Sequence, residues 1–182
     1  QNIKERRKIM RKQTIYQLNS LYRDNMKVTG YFYGKGEPAL CIMGALRGDE
    51  IQQLYICSQL NKRLKQMERE GRICPGKEIL VIPAANLYSI NVGKRFWPSD
   101  NTDINRMFPG YALGETTQRI AAGIFEPIRH YKYGIHFCSS YTKGNYLPHV
   151  RIMHTGFEDI SLAREFGLPY VCLLYTSPSP RD

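Results

Sequence analysis

Three groups of polar residues in this sequence have side-chain types that could bind a metal ion or an anion. The first is the turn that contains Arg47 and Glu50, the second is the block from Gly93 to Gly110, and the third is His136. A glutamate carboxylate and a neutral imidazole are suitable Zn²⁺ donors, and a guanidinium group can hold a carboxylate through two parallel hydrogen bonds. These residue types therefore point to metal or anion chemistry.

The elements that must position these groups are predicted to be strands alternating with helices. Predicted strands are Val28–Tyr33, Ala39–Met43, Ile79–Ile82, Tyr133–Phe137 and one beginning at Leu168–Val171. Predicted helices are Ile51 to Gly71, Glu115–Phe125 and Glu158–Phe166, separated by a long loop over residues 84–114. This alternation predicts an α/β fold with a largely parallel or mixed sheet. Ligands of such sheets bind at the carboxyl ends of strands, where all three polar groups fall.

The order and spacing of these residues resemble the zinc carboxypeptidase superfamily, and within it the succinylglutamate desuccinylase/aspartoacylase family. The family pattern has a Gly-x-His-Gly-x-Glu turn, an Arg followed by Asp-Leu-Asn-Arg-x-Phe-Pro-Gly, and an Asp-Leu-His strand end. The matching segments are Gly44-Ala-Leu-Arg-Gly-Asp-Glu50, Arg95 with Asp103-Ile-Asn-Arg-Met-Phe-Pro-Gly110, and Gly134-Ile-His136. The block from Asp103 to Gly110 is the most specific of them.

The resemblance implies a zinc-carboxypeptidase-like mixed sheet flanked by helices. It also implies a zinc-dependent hydrolase of amide bonds in small carboxylate-bearing substrates such as N-acyl amino acids. Carried over residue by residue, it makes Glu50 and His136 metal ligands, Arg95 the catalytic arginine that polarises the carbonyl, and Asn105 and Arg106 the clamp for the substrate carboxylate. The general-base glutamate of the family is expected beyond Val171.

Arg47 departs most from the family pattern, because it stands where the first histidine ligand is expected. Arginine stays protonated and has no lone pair for a metal ion. Gly134 replaces the Asp of Asp-Leu-His, and His149 and His154 are other available donors, although spacing favours His136 over His154. The alternative function is therefore a metal-free pseudoenzyme or anion-binding protein on the same fold, with Arg47 added to the substrate pocket.

Each candidate also has a purely structural interpretation. Glu50 has the position of a first-turn acid that complements a helix dipole, and an isolated strand-end histidine such as His136 is often only hydrogen-bonded. Asp103 either orients its loop or pairs with Arg106, or it serves plain turn chemistry.

Composition limits the class of protein. The 182 residues suffice for one domain, and a formal net charge of +10 favours anions as partners. Much of that charge lies in Gln1–Lys12, which we interpret as a solvated basic tail; nucleic-acid or membrane-surface binding has no other support and is not expected. Five cysteines without a CxxC pair, and the absence of a long apolar run, predict a cytoplasmic protein.

The two ends of the sequence are expected not to belong to the domain. Residues 1–9 are interpreted as an upstream extension before Met10, and residues 10–171 as the N-terminal, catalytic-type part of the domain. Residues 172–182 resemble a translated sequencing adapter. On this interpretation the domain is truncated at about Val171.

Overall fold

A computed structural model describes residues 10–20, 24–140 and 144–174. The chain divides into two units, Gln1–Ser139 and Ser140–Asp182. The predictions for residues 1–9 and for most of the terminal tail concern residues outside the described ranges.

The described residues of the first unit form five strands and three helices. The strands are β1 (Arg11–Leu18), β2 (Met26–Gly34), β3 (Glu37–Ala45), β4 (Lys77–Ala84) and β5 (Tyr133–His136). The helices are α1 (Ile51–Arg69), α2 (Leu87–Asn91) and α3 (Thr116–Ile128), and a 3-10 turn covers Ile104–Arg106. The four strands and two long helices predicted here are confirmed, with small differences at their ends.

One mixed sheet carries all five strands, in the order β1-β2-β4-β3-β5. Strand β3 runs parallel to both β4 and β5, whereas β2 is antiparallel to β4 and to β1. The predicted strands that become β3, β4 and β5 are therefore neighbours in one sheet. The carboxyl ends of β3 and β5 lie side by side, since Met43 is paired with His136.

Helices cover both faces of the sheet. Successive side chains of its central strands point to opposite faces, and the side chains on both faces are buried. Val81 of β4 packs in the core on the α1 side, together with Cys57 and Leu64 of that helix. Its neighbours Leu80 and Ile82 pack on the other side. That second core also contains Ile120 and Ile124 of α3 and two residues of the long loop, Trp97 and Ile104. The α/β class with a mixed sheet flanked by helices is confirmed.

Strand β1 corrects the end of the segment interpreted as a solvated tail (Gln1–Lys12), because Arg11 and Lys12 lie in a strand paired with β2, while residues 1–9 lie outside the described residues. The Arg11 guanidinium pairs with Glu78 of β4 and lies 5.4 Å from the centre of the Phe32 ring. Side chains of β2 and β4 thus bind the Arg11 guanidinium, although the local sequence pattern predicts that this charge is solvated.

Two further differences concern segment bounds. Strand β4 continues through Pro83 to Ala84 instead of ending at the proline. The long irregular loop contains helix α2 and the 3-10 turn, and the Asn86 side chain caps α2 by accepting a hydrogen bond from the Ser89 amide at 3.1 Å.

The second unit contains two parallel strands, β6 (His149–Met153) and β7 (Tyr170–Leu174), with helix α4 (Ile160–Arg164) between them in sequence. Strand β6 lies in a segment for which no strand or helix was predicted, and β7 continues from the predicted strand start at Leu168–Val171. Helix α4 is shorter than predicted. None of the helices in the described part of the chain is long and apolar enough to cross a membrane.

Candidate functional site

A tight turn leads from the end of β3 into helix α1, and it carries the first group of candidate residues. Leu46 is buried in the core and anchors the turn. A Cβ atom on Gly48 would lie 2.0 Å from the carbonyl oxygen of Lys94, so only glycine allows this close approach. The Gly48 amide donates a hydrogen bond to the Arg95 carbonyl at 3.0 Å, which ties the turn to the long loop.

Glu50 is fully buried, and hydrogen bonds occupy both of its carboxylate oxygens. Oε2 accepts from the backbone amides of Leu46 and Arg47, each at 3.0 Å. Oε1 accepts from the amide and the hydroxyl of Ser139, each at 3.1 Å, and from Arg47 Nη1 at 3.3 Å. A carboxylate offers about four lone-pair sites, so this arrangement leaves no oxygen of Glu50 open to a metal ion.

Arg47 is buried and lies between two carboxylates. Its Nε donates to both oxygens of Asp103 at 3.1 Å, and its Nη2 donates to Asp103 Oδ2 at 2.9 Å. Its Nη1 forms the contact with Glu50. Burial disfavours the charged guanidinium, but the hydrogen bonds and charges of Asp103 and Glu50 outweigh this cost and raise the pKa of Arg47. The side chain is therefore a permanently charged cation at this position.

The long loop is fixed to the molecule by core packing and by Asp103. Trp97 and Ile104 are both buried in the core on the α3 side of the sheet. Between them, Asp103 Oδ1 accepts a hydrogen bond from the Asn105 amide at 3.1 Å and so caps the 3-10 turn. Arg106 Nε lies 3.8 Å from Asp103 Oδ2, and 70% of the Arg106 side chain is exposed. Asp103 thus orients its loop and also pairs with arginines on both sides.

Arg95 connects the long loop with the ends of β3 and β5. Its Nη1 donates to the carboxylate of Asp49 and, at 3.5 Å, to the hydroxyl of Ser139. Ser139 in turn donates to Glu50. Arg95 is therefore held beside Glu50 through one intervening residue.

His136 is half-buried at the carboxyl end of β5, beside the end of β3. Burial lowers its pKa; the Glu50 carboxylate opposes this shift, and the Arg47 cation reinforces it. The ring is thus neutral near pH 7, and its Nε2 is buried without a hydrogen-bond partner in the part of the chain that the structure describes. A neutral imidazole with an open nitrogen has the form that a metal ligand requires.

The described residues nevertheless do not fit a zinc ion. They contain no group of three or more His, Cys, Asp or Glu side chains that could hold a metal. His136 offers a donor, but the oxygens of Glu50 are already used. The Arg47 guanidinium lies against Glu50, where it would repel a cation. Zinc needs three protein ligands to form a typical catalytic site, and of the three expected ligand positions, Arg47, Glu50 and His136, only His136 offers an open donor.

Hydrogen bonds and ion pairs connect a group of polar side chains at the carboxyl ends of β3 and β5, and His136 joins it through its electrostatic interaction with Glu50. We call this group the strand-end cluster; its members are Arg47, Asp49, Glu50, Arg95, Asp103, Arg106, His136 and Ser139. The structure thus brings together the candidates from all three segments. The Asn105 backbone joins through its hydrogen bond to Asp103.

Two members of the cluster, Asp49 and Ser139, were not predicted from the sequence. A signal for Ser139 exists, because it is a polar residue directly after a predicted strand that ends near His136. Asp49 stands inside the Arg-Gly-Asp-Glu turn and had no assigned partner. Gly134 lies on the edge strand β5, and a Cβ atom there would meet nothing within 4 Å.

The other two candidate histidines, His149 and His154, belong to the second unit and have local partners. His149 Nδ1 lies 2.9 Å from the Leu147 carbonyl oxygen, and its Nε2 accepts from Arg151 Nε at 3.1 Å. His154 Nδ1 contacts the Glu158 carboxylate at 2.5 Å. Both rings therefore take part in local hydrogen bonds.

The mixed sheet, its covering helices and a polar cluster at the strand ends define an α/β protein of carboxypeptidase-like fold. A family model described as the succinylglutamate desuccinylase/aspartoacylase catalytic domain matches residues 36–181. The chain belongs to this family, whose members are deacylases.

Individual relatives agree with this assignment. The chain is 32% identical over 88 residues to N-alpha-acetyl-L-2,4-diaminobutyric acid deacetylase of Halomonas elongata, which covers 48% of this chain and 24% of that protein. A solved succinylglutamate desuccinylase from Silicibacter sp. TM1040 matches with a TM-score of 0.73 and 19% identity, over 94% of this chain and 53% of that one. The chain thus spans about half of that relative's length.

A more distant structural likeness supports the carboxypeptidase-like fold. Bovine thrombin-activatable fibrinolysis inhibitor, solved in complex with a tick carboxypeptidase inhibitor, matches with a TM-score of 0.55 and 15% identity. That match covers 76% of this chain and 60% of the other.

Proposed function

We propose that the full-length protein recognises small carboxylate-bearing amides of the N-acyl amino acid class at the strand-end cluster, and that it does so without a zinc ion on Glu50. The observation that carries this proposal is the burial of the Arg47 guanidinium between the carboxylates of Glu50 and Asp103.

Family membership supports the substrate class. The Halomonas elongata relative is named for the deacetylation of an N-acetylated amino acid, and the Silicibacter relative is named for the removal of the succinyl group from succinylglutamate. Both names describe amides that carry a free carboxylate. A binding site for such compounds needs a cation for the carboxylate and hydrogen-bond donors for the amide.

The exposed face of Arg106 supports carboxylate recognition. Asp103 holds its Nε side at 3.8 Å, while most of the side chain is exposed to solvent. A guanidinium group on a side chain this exposed is accessible to a carboxylate ligand, which it can hold through two parallel hydrogen bonds. Asn105, in the same 3-10 turn, adds an amide side chain that can both donate and accept.

The charge balance of the cluster supports the absence of zinc. Its three acids, Asp49, Glu50 and Asp103, are matched by its three arginines, Arg47, Arg95 and Arg106. A divalent cation would add charge to a set of groups that is already neutral. A buried charge is tolerated when it is paired and hydrogen-bonded, and here the pairing is complete without a metal.

Zinc-dependent hydrolysis of the same amides is the second candidate. The open Nε2 of His136 favours it, because this buried nitrogen has the form of a metal donor and lacks a hydrogen-bond partner among the described residues. Zinc content separates the two candidates.

Calorimetric titration of the full-length protein tests the proposal. The ligands are N-acetyl and N-succinyl amino acids, and the matched controls are the same compounds with the carboxylate converted to an amide. We expect the acids to bind and the amides to bind at least about tenfold more weakly, since a hydrogen-bonded charge contributes about 1.5–3 kcal/mol. Release of the free amino acid is measured in parallel, in EDTA and in zinc.

Two variants sharpen this experiment. Arg106→Gln should weaken binding of the acids about 10- to 100-fold, whereas Arg129→Gln, at an exposed arginine after α3, should leave it unchanged. Equal affinity for acids and amides would refute the carboxylate-binding role. Zinc-dependent release of amino acid by the unmodified protein would establish the second candidate instead.

A further inference from the structure

Arg47 joins the turn after β3 to the 3-10 turn of the long loop. It follows β3, whereas Asp103, 56 positions later, caps the 3-10 turn of the long loop. The guanidinium group fits the carboxylate of Asp103 with three hydrogen bonds of 2.9–3.1 Å. The position of Asn105 and Arg106 therefore depends on a contact made by Arg47.

The same side chain also neutralises Glu50, which is fully buried. A cation that pairs with two buried carboxylates at once has the same structural role as a metal ion that both carboxylates coordinate. We propose that Arg47 is a built-in replacement for a metal ion, and that as a positioning residue it holds the turn of Asn105 and Arg106 against the end of β3.

Two residues of types that bind metal ions, Glu50 and His136, lie near Arg47. Glu50 supplies a carboxylate directly beside the guanidinium, and the electrostatic effect of Arg47 reaches His136. The Nε2 atom of His136 is buried and has no hydrogen-bond partner among the described residues. Replacing the arginine with a histidine would remove the cation and release Glu50 Oε1 from one contact. Of the remaining donors to Glu50, the Ser139 hydroxyl can rotate away and leave this oxygen to a metal ion, and the new imidazole would add a third donor at this position. The inference does not depend on the identity of the ligand.

The experiment compares thermal unfolding of the unmodified full-length protein with that of Arg47→His, each in EDTA and in zinc. In EDTA, the variant leaves two buried carboxylates without their cation, so we expect its unfolding midpoint to fall by about 10 °C. Zinc should restore at least half of this loss in the variant, because an ion that binds only the native state stabilises it. Zinc should leave the unmodified protein unchanged.

Control variants identify the source of the response. Adding His136→Ala to Arg47→His should abolish the rescue by zinc. Arg72→His, at an exposed arginine paired with Glu70, should show neither the loss nor the rescue. Equal stability of Arg47→His and the unmodified protein in EDTA would overturn the proposal, and so would a folded variant that does not respond to zinc.

Arg47→Lys decides the question if Arg47→His does not fold in either condition. Lysine keeps the charge but cannot form the two-pronged contact. We expect a lower midpoint than in the unmodified protein, with no zinc response. Amide hydrogen exchange should also be faster at Asn105 and Arg106, whose amides bond to Asp103. Exchange rates equal to those of the unmodified protein would overturn the positioning role.

Discussion

Arg47 and Asp103 are joined by three hydrogen bonds of 2.9–3.1 Å, although 56 positions separate them in the chain. Both side chains are buried, and the arginine also contacts Glu50. This contact links the strand-end turn to the loop that carries the proposed carboxylate clamp.

Removing the charge of Arg47 should strongly destabilise the protein. In Arg47→Met, Glu50 and Asp103 become buried carboxylates without a counter-charge, so we expect a loss of about 3–5 kcal/mol in the free energy of unfolding. Chemical denaturation measures it. The matched control Arg72→Met removes an exposed pair and should cost less than about 1 kcal/mol. Adding Asp103→Asn to Arg47→Met should recover part of the loss, and no recovery would argue against an unpaired carboxylate as its cause.

Gly123 of α3 should not tolerate alanine. A Cβ atom there would lie 2.0 Å from the ring of Tyr16 on β1. Alanine favours a helix interior over glycine by about 1 kcal/mol, but overpacking costs about 1–3 kcal/mol, so we expect net destabilisation by denaturation. Gly134→Ala is the control, since its Cβ meets nothing within 4 Å and should be neutral or slightly stabilising. A Gly123→Ala protein as stable as its parent would contradict this close contact between α3 and the Tyr16 ring of β1.

The Tyr33 hydroxyl should make the protein sensitive to alkaline pH. Burial, assisted by the charge of Glu68, raises the pKa of Tyr33 to about 12. In the unfolded chain tyrosine loses its proton near pH 10, so between about pH 10 and pH 12 the native state holds more protons and stability falls as pH rises.

Tyr33→Phe tests this effect. At neutral pH the variant should be less stable, because it lacks the hydrogen bond from Tyr33 to Asn61 Oδ1 at 2.8 Å. Its urea midpoint should decline less steeply than that of the parent above about pH 10. Parallel pH profiles for the two proteins would contradict the raised pKa.

Two of the five cysteines should be unreactive in the native state. Burial raises the pKa of Cys41 to about 12 and that of Cys57 to about 11, and only a thiolate reacts rapidly. Cys74 is exposed. Brief alkylation followed by peptide mass spectrometry should therefore find Cys74 modified and the other two intact, while all three react in denaturant. Native-state labelling of Cys57 as fast as that of Cys74 would contradict the packing of α1.

The strands that are buried on both faces were predictable from the sequence, and β1, one of the two edge strands, was not. Ile79–Ile82 forms an unbroken apolar run because helices cover both sides of β4. Strand β1 begins with Arg11, whose charge is held by Glu78 of another strand. No local pattern reveals that partner, so the segment looked like a solvated tail.

The candidate site, too, could be predicted only in part: most of its residues could be identified from the sequence, but the contacts between them could not. Motif spacing identified Arg47, Glu50, Asp103 and His136 as separate candidates, and their placement at strand ends followed from the parallel sheet. The bidentate contact between Arg47 and Asp103 depends on how the long loop returns to the sheet. Ser139 reaches Glu50 only because β5 lies beside β3. Contacts of this kind come from tertiary structure and were not predictable from spacing.

Elemental analysis of the unmodified full-length protein tests most directly whether Arg47 takes the place of a metal ion. The protein is purified without chelator, dialysed against a trace of zinc and then against zinc-free buffer, beside a zinc hydrolase treated identically. We expect a zinc content far below one ion per chain, because the Arg47 guanidinium pairs with the Glu50 carboxylate and leaves His136 as the one open donor among the three expected ligand positions. One zinc ion retained per chain would contradict the account.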